Sequence, residues 1–330
     1  DASAGIFEGR SAHMSFNIKG TGMYVPEKIV TNDDLSKIVE TNDEWITKRV
    51  GVKRRHISTG ETAADMGLKA AERALGNAGI TPDQLDLIIG ATVSGENVLP
   101  SVSCDIQGKL GAGCMAFDIN AACSAFIFML DVAAGFFAKQ KLRNVLVVGA
   151  ERMSRIVDWS DRSTCVIFGD GAGAAVLSPG DGYEASTFHV KGGDSVLRVP
   201  QEPGISPFFS GDGAKPYIHM NGQETFRFAV NSMTADITKV LDDAGLTMDD
   251  IALVIPHQAN YRIIKFAAEK LGVPEEKFFV NIAEYGNTSS ASIPIALCEA
   301  LQSGAVHRGD RVIFSAFGGG LASAACIVKL

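Results

Sequence analysis

The chain has 330 residues, of which 46% are hydrophobic and 21% charged, and a formal net charge of -8. That length can hold one large domain or two fused halves around a substantial core, and the composition is that of an ordinary globular protein. The acidic balance argues against a general nucleic-acid or anionic-membrane binder, and six cysteines with no CxxC pair argue against a zinc site or disulfide framework, so a reducing cytoplasm fits best.

Residues 1–13 are small and polar and run into His13-Met14, the pattern of a leader left by cloning, so Met14 is the expected native start. The following Ser15-Phe16-Asn17-Ile18 has neither the charged start nor the apolar core of a secretory signal. A helical pattern then reaches an Ala-Gly stop at Asn77-Ala78-Gly79; Thr81-Pro82-Asp83 opens a new turn, and Leu87-Ile88-Ile89 is an apolar strand. Another strand, 116–119, leads to Cys123 and the apolar run 121–138, whose single charge is Asp131. Its small residues and missing basic flanks predict a buried core helix rather than a membrane span. After the strand 145–148, Phe168-Gly169-Asp170-Gly171-Ala172-Gly173 leads as a hairpin signal into Ala174-Ala175-Val176-Leu177.

The second half repeats this order at an offset of 166 residues. Asp243-Ala244-Gly245 is again a helix stop, Thr247-Met248-Asp249 a start, and Leu253-Val254-Ile255 an apolar strand. Lys270-Leu271-Gly272 and Val280-Asn281-Ile282 parallel Lys109-Leu110-Gly111 and Phe117-Asp118-Ile119. The strand 311–316 and the glycine run Gly318-Gly319-Gly320 close the half. Strands alternating with helices, apolar on both faces, predict mainly parallel sheets covered by helices. The halves fall at 14–178 and 179–330, and equivalent loops from both should surround a shared centre. The segment 203–216, mixing proline, glycine and phenylalanine, is unusual in composition.

Four features at strand ends carry candidate chemistry. Cys123 opens the apolar helix, where unpaired N–H groups stabilise a thiolate; on local grounds a cysteine here is more often a small buried hydrophobe than a nucleophile. His257 ends a buried strand at Pro256, with Asn260 placed to cap the next helix, and is either a site residue or a hydrogen-bonded core histidine. Asn287 lies two positions from the repeat partner of Cys123, so the pseudo-twofold sets it opposite that cysteine. Gly318-Gly319-Gly320 lets backbone N–H groups approach a ligand, or makes a plain tight turn.

Thr41-Asn42-Asp43-Glu44-Trp45-Ile46, Ala121-Ala122-Cys123-Ser124, Phe168-Gly169-Asp170-Gly171, Pro256-His257-Gln258-Ala259-Asn260, Gly286-Asn287-Thr288-Ser289 and Phe317-Gly318-Gly319-Gly320 together resemble β-ketoacyl-acyl carrier protein synthase III. The resemblance spans nearly the whole chain from Met14. It implies an α/β thiolase fold, two pseudo-symmetric βαβαβαββ halves forming a five-layered α-β-α-β-α core. It implies an acyltransferase that condenses an acyl-CoA primer with malonyl-acyl carrier protein in ping-pong fashion, as a cytoplasmic homodimer with no cofactor or metal. Cys123 would be acylated, His257 and Asn287 would hold the malonyl thioester oxygen, and the backbone N–H groups of Cys123 and Gly320 would form the oxyanion hole.

The same resemblance places coenzyme A against Trp45, Arg49 and Arg162, and its pantetheine arm along Gly222, Phe226, Ala259 and Asn260. Leu99 and Phe317 would shape the acyl pocket, Leu99 by reaching across the dimer. Arg227, Arg262, Lys265 and Lys270 form a basic face that either docks an acidic carrier protein or is simply solvated. Val50, Asn120 and Ser124 depart from the usual threonine, aspartate and alanine, which bears on primer choice. The rivals are a related synthase of secondary metabolism (polyketide or quinolone precursors), a Cys-His-Asn thioester hydrolase, and a dinucleotide-binding module. The last fails because Gly169-Asp170-Gly171-Ala172-Gly173 lacks GxGxxG spacing and leads into a strand. A degradative thiolase would need a second cysteine by the glycine loop, and Cys326 lies beyond it.

Overall fold

The structure, a computed structural model, describes residues 15–201, 207–208 and 215–330; residues 1–13, the expected leader, Met14 and most of the 203–216 segment lie outside the described residues. The first half runs β1 (Ser15–Tyr24), α1 (Ala63–Ala78), β2 (Leu87–Ala91), α2 (Val102–Leu110), β3 (Met115–Asp118), α3 (Ala125–Lys139), β4 (Val145–Glu151) and β5 (Gly171–Gly180). The second runs β6 (Tyr183–Val190), α4 (Gly222–Ala244), β7 (Leu253–Pro256), α5 (Tyr261–Leu271), α6 (Ser292–Gln302), β8 (Arg311–Gly318) and β9 (Ala322–Lys329).

Local chemistry sets these boundaries. A Thr62–Asp65 capping box starts α1, and Gly79, in the left-handed region at φ 65°, ends it. Gly245 ends α4 in the same way at φ 66°. Thr81 and Thr247 open short 3-10 turns before β2 and β7.

The two sheets are ordered β1-β5-β4-β2-β3 and β6-β9-β8-β7, the same sequence of equivalent strands. β2 is parallel to β3 and β4, as β7 is to β8, while the hairpins β4–β5 and β8–β9 are antiparallel. The strand expected at 280–282 is reduced to one parallel bridge, Val254 to Phe278. The Gln258 carboxamide displaces it: Nε2 donates to Phe279 O, and Oε1 accepts from Asn281 N and Ile282 N.

Alternation along the strands divides the core. Leu87, Ile89, Val145 and Val147 face the central layer of α3 and α6, which also takes Val312 and Phe314 from the second sheet. Ile88, Leu146 and Val148 face α1 and α2, whereas Val254 and Ile313 face α4 and α5. The result is five layers, α-β-α-β-α. Ala122–Lys139 is long and apolar enough to cross a membrane by composition. Its Phe126, Ile127, Leu130 and Phe137 are instead buried between the sheets, Phe126 edge-on to Phe314 at 5.9 Å. Each such side chain contributes roughly 1.5–3 kcal/mol of burial.

Candidate active site

The pseudo-twofold brings two similar turns together. Ala122–Ser124 and Ser289–Ala291 are both 3-10 turns running directly into the central helices, and Ala122 (φ 47°) and Ser289 (φ 50°) hold strained left-handed conformations. The offset here is 167, not 166, so Ser290 is the strict counterpart of Cys123. Ser289 meets the nucleophile candidate: Cys123 Sγ donates to its Oγ at 3.5 Å. Asn287 stands behind, its Oδ1 accepting from Ser289 N at 2.8 Å, which leaves the amide Nδ2 as its donating end.

His257 extends β7 by donating its backbone N–H to Ser315 O at 2.8 Å. The ring is 1% exposed and packs edge-on to Phe317, with centroids 5.4 Å apart. Its Nδ1 finds no partner among the described residues. Burial pulls the imidazole pKa down to about 3, so the ring is neutral near pH 7 and can donate one N–H. Asn260 caps α5 as expected, accepting from Arg262 N at 2.9 Å, and its Nδ2 donates to Arg49 O.

The thiol departs from expectation. Burial, reinforced by the nearby Glu151 carboxylate, pushes Cys123 up to about 12, and the Ser289 hydrogen bond only partly offsets this. The resting sulfur is therefore a neutral thiol, not the thiolate expected at a helix start. Of the remaining cysteines, Cys165, Cys298 and Cys326 are buried, Cys114 is half-buried, and Cys104 is exposed.

The glycine loop approaches this turn closely. A Cβ on Gly318 would lie 2.9 Å from Cys123 N, so only glycine admits the contact. The Phe168 motif has a similar steric purpose. A Cβ on Gly169 would lie 2.2 Å from Tyr285 O; Gly169 N donates to Asn287 O, and Asn287 N to Ile167 O. That motif is thus the seat of the asparagine turn.

A cavity of about 2140 Å³ joins these parts. Cys123, His257, Asn287, Phe317 and Gly320 lie along it with Ser289; Trp45, Arg49, Gly222 and Phe226 also line it, as do Arg227, Ala259, Asn260 and Arg262. Arg162 is not on its wall but stacks over Trp45 at 5.1 Å, with Arg49 at 5.7 Å from the same ring. The expected basic face is divided. Arg262 lies over Phe226 at 5.5 Å, whereas Lys265 pairs with Glu275 and Lys270 donates to Asn231. Leu99 is not among the residues lining this cavity and is 85% exposed.

Models of the 3-oxoacyl-(acyl-carrier-protein) synthase III family match residues 117–193, and those of its C-terminal part residues 241–330. The β-ketoacyl-acyl carrier protein synthase III of Clostridium acetobutylicum is 48% identical over 320 residues, covering 96% of this chain and 98% of its own length. The chain belongs to the synthase III family. The Aquifex aeolicus synthase III crystal structure superposes with a TM-score of 0.90 at 47% identity, covering 96% of this chain and all of that one. A priming β-ketosynthase of the R1128 polyketide pathway follows at 0.89 and 36% identity, covering 96% and 97%. As a synthase III the chain is a condensing acyltransferase of thiolase fold, acting in fatty-acid synthesis, which sets aside the hydrolase and dinucleotide readings. Ser289 and Glu151 escaped the sequence reading. The repeat arithmetic landed on Ser289, but a serine in Thr288-Ser289-Ser290 passes for a helix cap, and Glu151 shows no motif.

Proposed function

We propose that this synthase III carries its primer on Cys123. An acyl-CoA enters past Trp45 and Arg49, its thioester is attacked by the Cys123 thiol, and CoA leaves. Malonyl-acyl carrier protein then delivers its thioester oxygen to His257 Nε2–H and Asn287 Nδ2. Loss of carbon dioxide turns that carbonyl into an enolate, whose charge the two neutral donors stabilise where it develops. The carbanion attacks acyl-Cys123, with the Cys123 and Gly320 N–H groups holding the tetrahedral oxyanion. The observation that carries this reading is the single cavity joining Cys123, His257 and Asn287 to Trp45 and Arg49. Incubation with a panel of acyl-CoAs should add one acyl mass to the Cys123 peptide; no adduct from any primer sinks it.

Adenine would stack on Trp45 by displacing the Arg162 guanidinium, since 5.1 Å leaves no room for a ring between them. Arg227 and Arg262 at the cavity wall are the favoured contacts for an acidic carrier protein, because Lys265 and Lys270 already have partners. Free cysteines support a reducing cytoplasmic setting. The exposed Val98, Leu99 and Met115 beside the open edge of β3 support a homodimer in which Leu99 closes the partner's acyl pocket. The likeness to the polyketide priming synthase favours a second reading, a primer for secondary metabolism; the acyl group preferred in the panel separates the two.

A further inference from the structure

The two donors to the malonyl thioester lie on different stretches of chain, and a third residue ties those stretches together. Gln258 follows His257, is 1% exposed and does not line the cavity. Its Nε2 donates to Pro256 O and to Phe279 O, both at 2.9 Å. Its Oε1 accepts from Asn281 N at 3.0 Å and from Ile282 N at 3.2 Å. A carboxamide has two N–H donors and two acceptor positions, so its whole capacity is used. The Gln258 backbone N–H donates to Ser292 Oγ at 2.8 Å, at the start of α6.

These bonds bracket Asn287 on both sides. Before it, Asn281 and Ile282 lead into the one-turn helix Ile282–Tyr285, which Gly286 ends. Asn281 gives that helix no side-chain cap, and the Gln258 carbonyl takes its first N–H groups instead. Gly286 N donates to Ile282 O at 2.9 Å with φ at 65°, and a Cβ there would lie 2.7 Å from Ile167 O. A displacement at Ile282 therefore reaches Asn287 through one tight turn. After Asn287, Ser292 follows directly on the Ser289–Ala291 turn. His257 is fixed by the same residue, because the carbonyl preceding it, Pro256 O, is held by the Gln258 side chain. Cys123 has other supports. All five hydrogen-bond partners of Gln258 lie in the second half of the chain, whereas the cysteine turn packs on Gly318.

We propose that Gln258 is a positioning residue for decarboxylation, setting the separation and aim of His257 Nε2–H and Asn287 Nδ2 without touching substrate. Two neutral donors stabilise an enolate only when both reach the oxygen where charge develops, and a misplacement of about 1 Å can cost on the order of 100-fold. The side chain suits the task. An ionised glutamate would turn only acceptors toward Pro256 O and Phe279 O, and asparagine is one methylene too short to hold both stretches. The inference rests on His257 and Asn287 as the malonyl donors.

The test reads two steps on the intact protein: first-turnover acyl mass on Cys123, and carbon dioxide released when the acylated protein meets malonyl-acyl carrier protein. Wild type, Gln258→Leu, Gln258→Asn and His257→Ala are compared. Gln258→Leu should slow carbon dioxide release by about 10-fold or more while leaving acylation within about twofold. The loss should persist at saturating malonyl-acyl carrier protein, with half-saturation within about twofold, because the donors act on the transition state. Gln258→Asn should give a smaller loss of the same kind. A residue that only stabilises the fold would lower both rates together, in step with the folded fraction read by thermal melting. Equal loss of both steps in Gln258→Leu, or a ratio of the two like that of the wild type, overturns the proposal. Should Gln258→Leu fail to fold, the same ratio in Gln258→Asn decides. Equal loss of both steps in His257→Ala would instead overturn the reading of the donors.

Discussion

Burial shifts the Cys123 thiol and the His257 imidazole in opposite directions, and both remain neutral near pH 7 as a result. Iodoacetamide should therefore alkylate Cys123 at a rate that climbs through about pH 7 to 10 without levelling, because the thiolate fraction is still growing. A plateau near pH 7 would mean a thiolate–imidazolium pair and overturn the neutral assignment. His257 has a depressed folded pKa, so its contribution to stability is complete above its unfolded value near 6.5 and is lost as the pH falls from there toward 3. Condensation should accordingly show no acid limb near 6.5 from this ring. Replacing His257 or Asn287 with alanine should cut condensation by about 100-fold or more while leaving acylation within several-fold. Equal loss of both steps, measured as release of carbon dioxide against the acyl mass on Cys123, would mean that the two side chains serve the first half-reaction too.

At the scale of elements, the strands, helix stops and the pairing of halves were legible because each rests on local chemistry: apolar runs, Thr caps and Ala-Gly stops. What was not legible depends on contacts between segments distant in the chain. Gln258 looks like a spacer in Pro256-His257-Gln258-Ala259, yet its side chain replaces the ladder of a whole strand. The register at the nucleophile turn slipped by one residue, and that residue decides whether Ser289 or Ser290 meets the sulfur. The glycine motif at 169–173 announced a hairpin, but the partner that requires its first glycine is the backbone of Tyr285. Gly169→Ala forces a Cβ to within 2.2 Å of that carbonyl and strains the bond from Gly169 N to Asn287 O. Such overpacking should cost about 1–3 kcal/mol in urea unfolding. Because Asn287 moves with the turn, condensation should fall further than acylation. Unaltered stability and an unaltered ratio of the two steps would show that the turns are not interlocked.

Over the whole molecule, duplication accounts for the five layers that the family resemblance implied: equivalent strands take equivalent places in both sheets, with α3 and α6 shared between them. The halves differ at their outer edges. In the second half the place equivalent to β3 is filled by a single bridge, whereas in the first β3 is a full strand with no strand on its outer edge among the described residues. An unpaired edge strand invites another strand, and Met115 on it is 47% exposed. Leu99 and Val98, 85% and 78% exposed, precede the helix α2 that packs beside that edge. Two copies meeting there would be related by a twofold, each covering the other's apolar loop. If two copies pair there with Leu99 in the partner's pocket, as proposed, Met115→Lys should shift light scattering from dimer to monomer at micromolar concentration and lower acylation. Leu99→Ala should leave the dimer intact and change which acyl-CoA lengths load Cys123. A wild-type chain that is monomeric and fully active would separate the two effects and return the acyl pocket to residues of one chain alone.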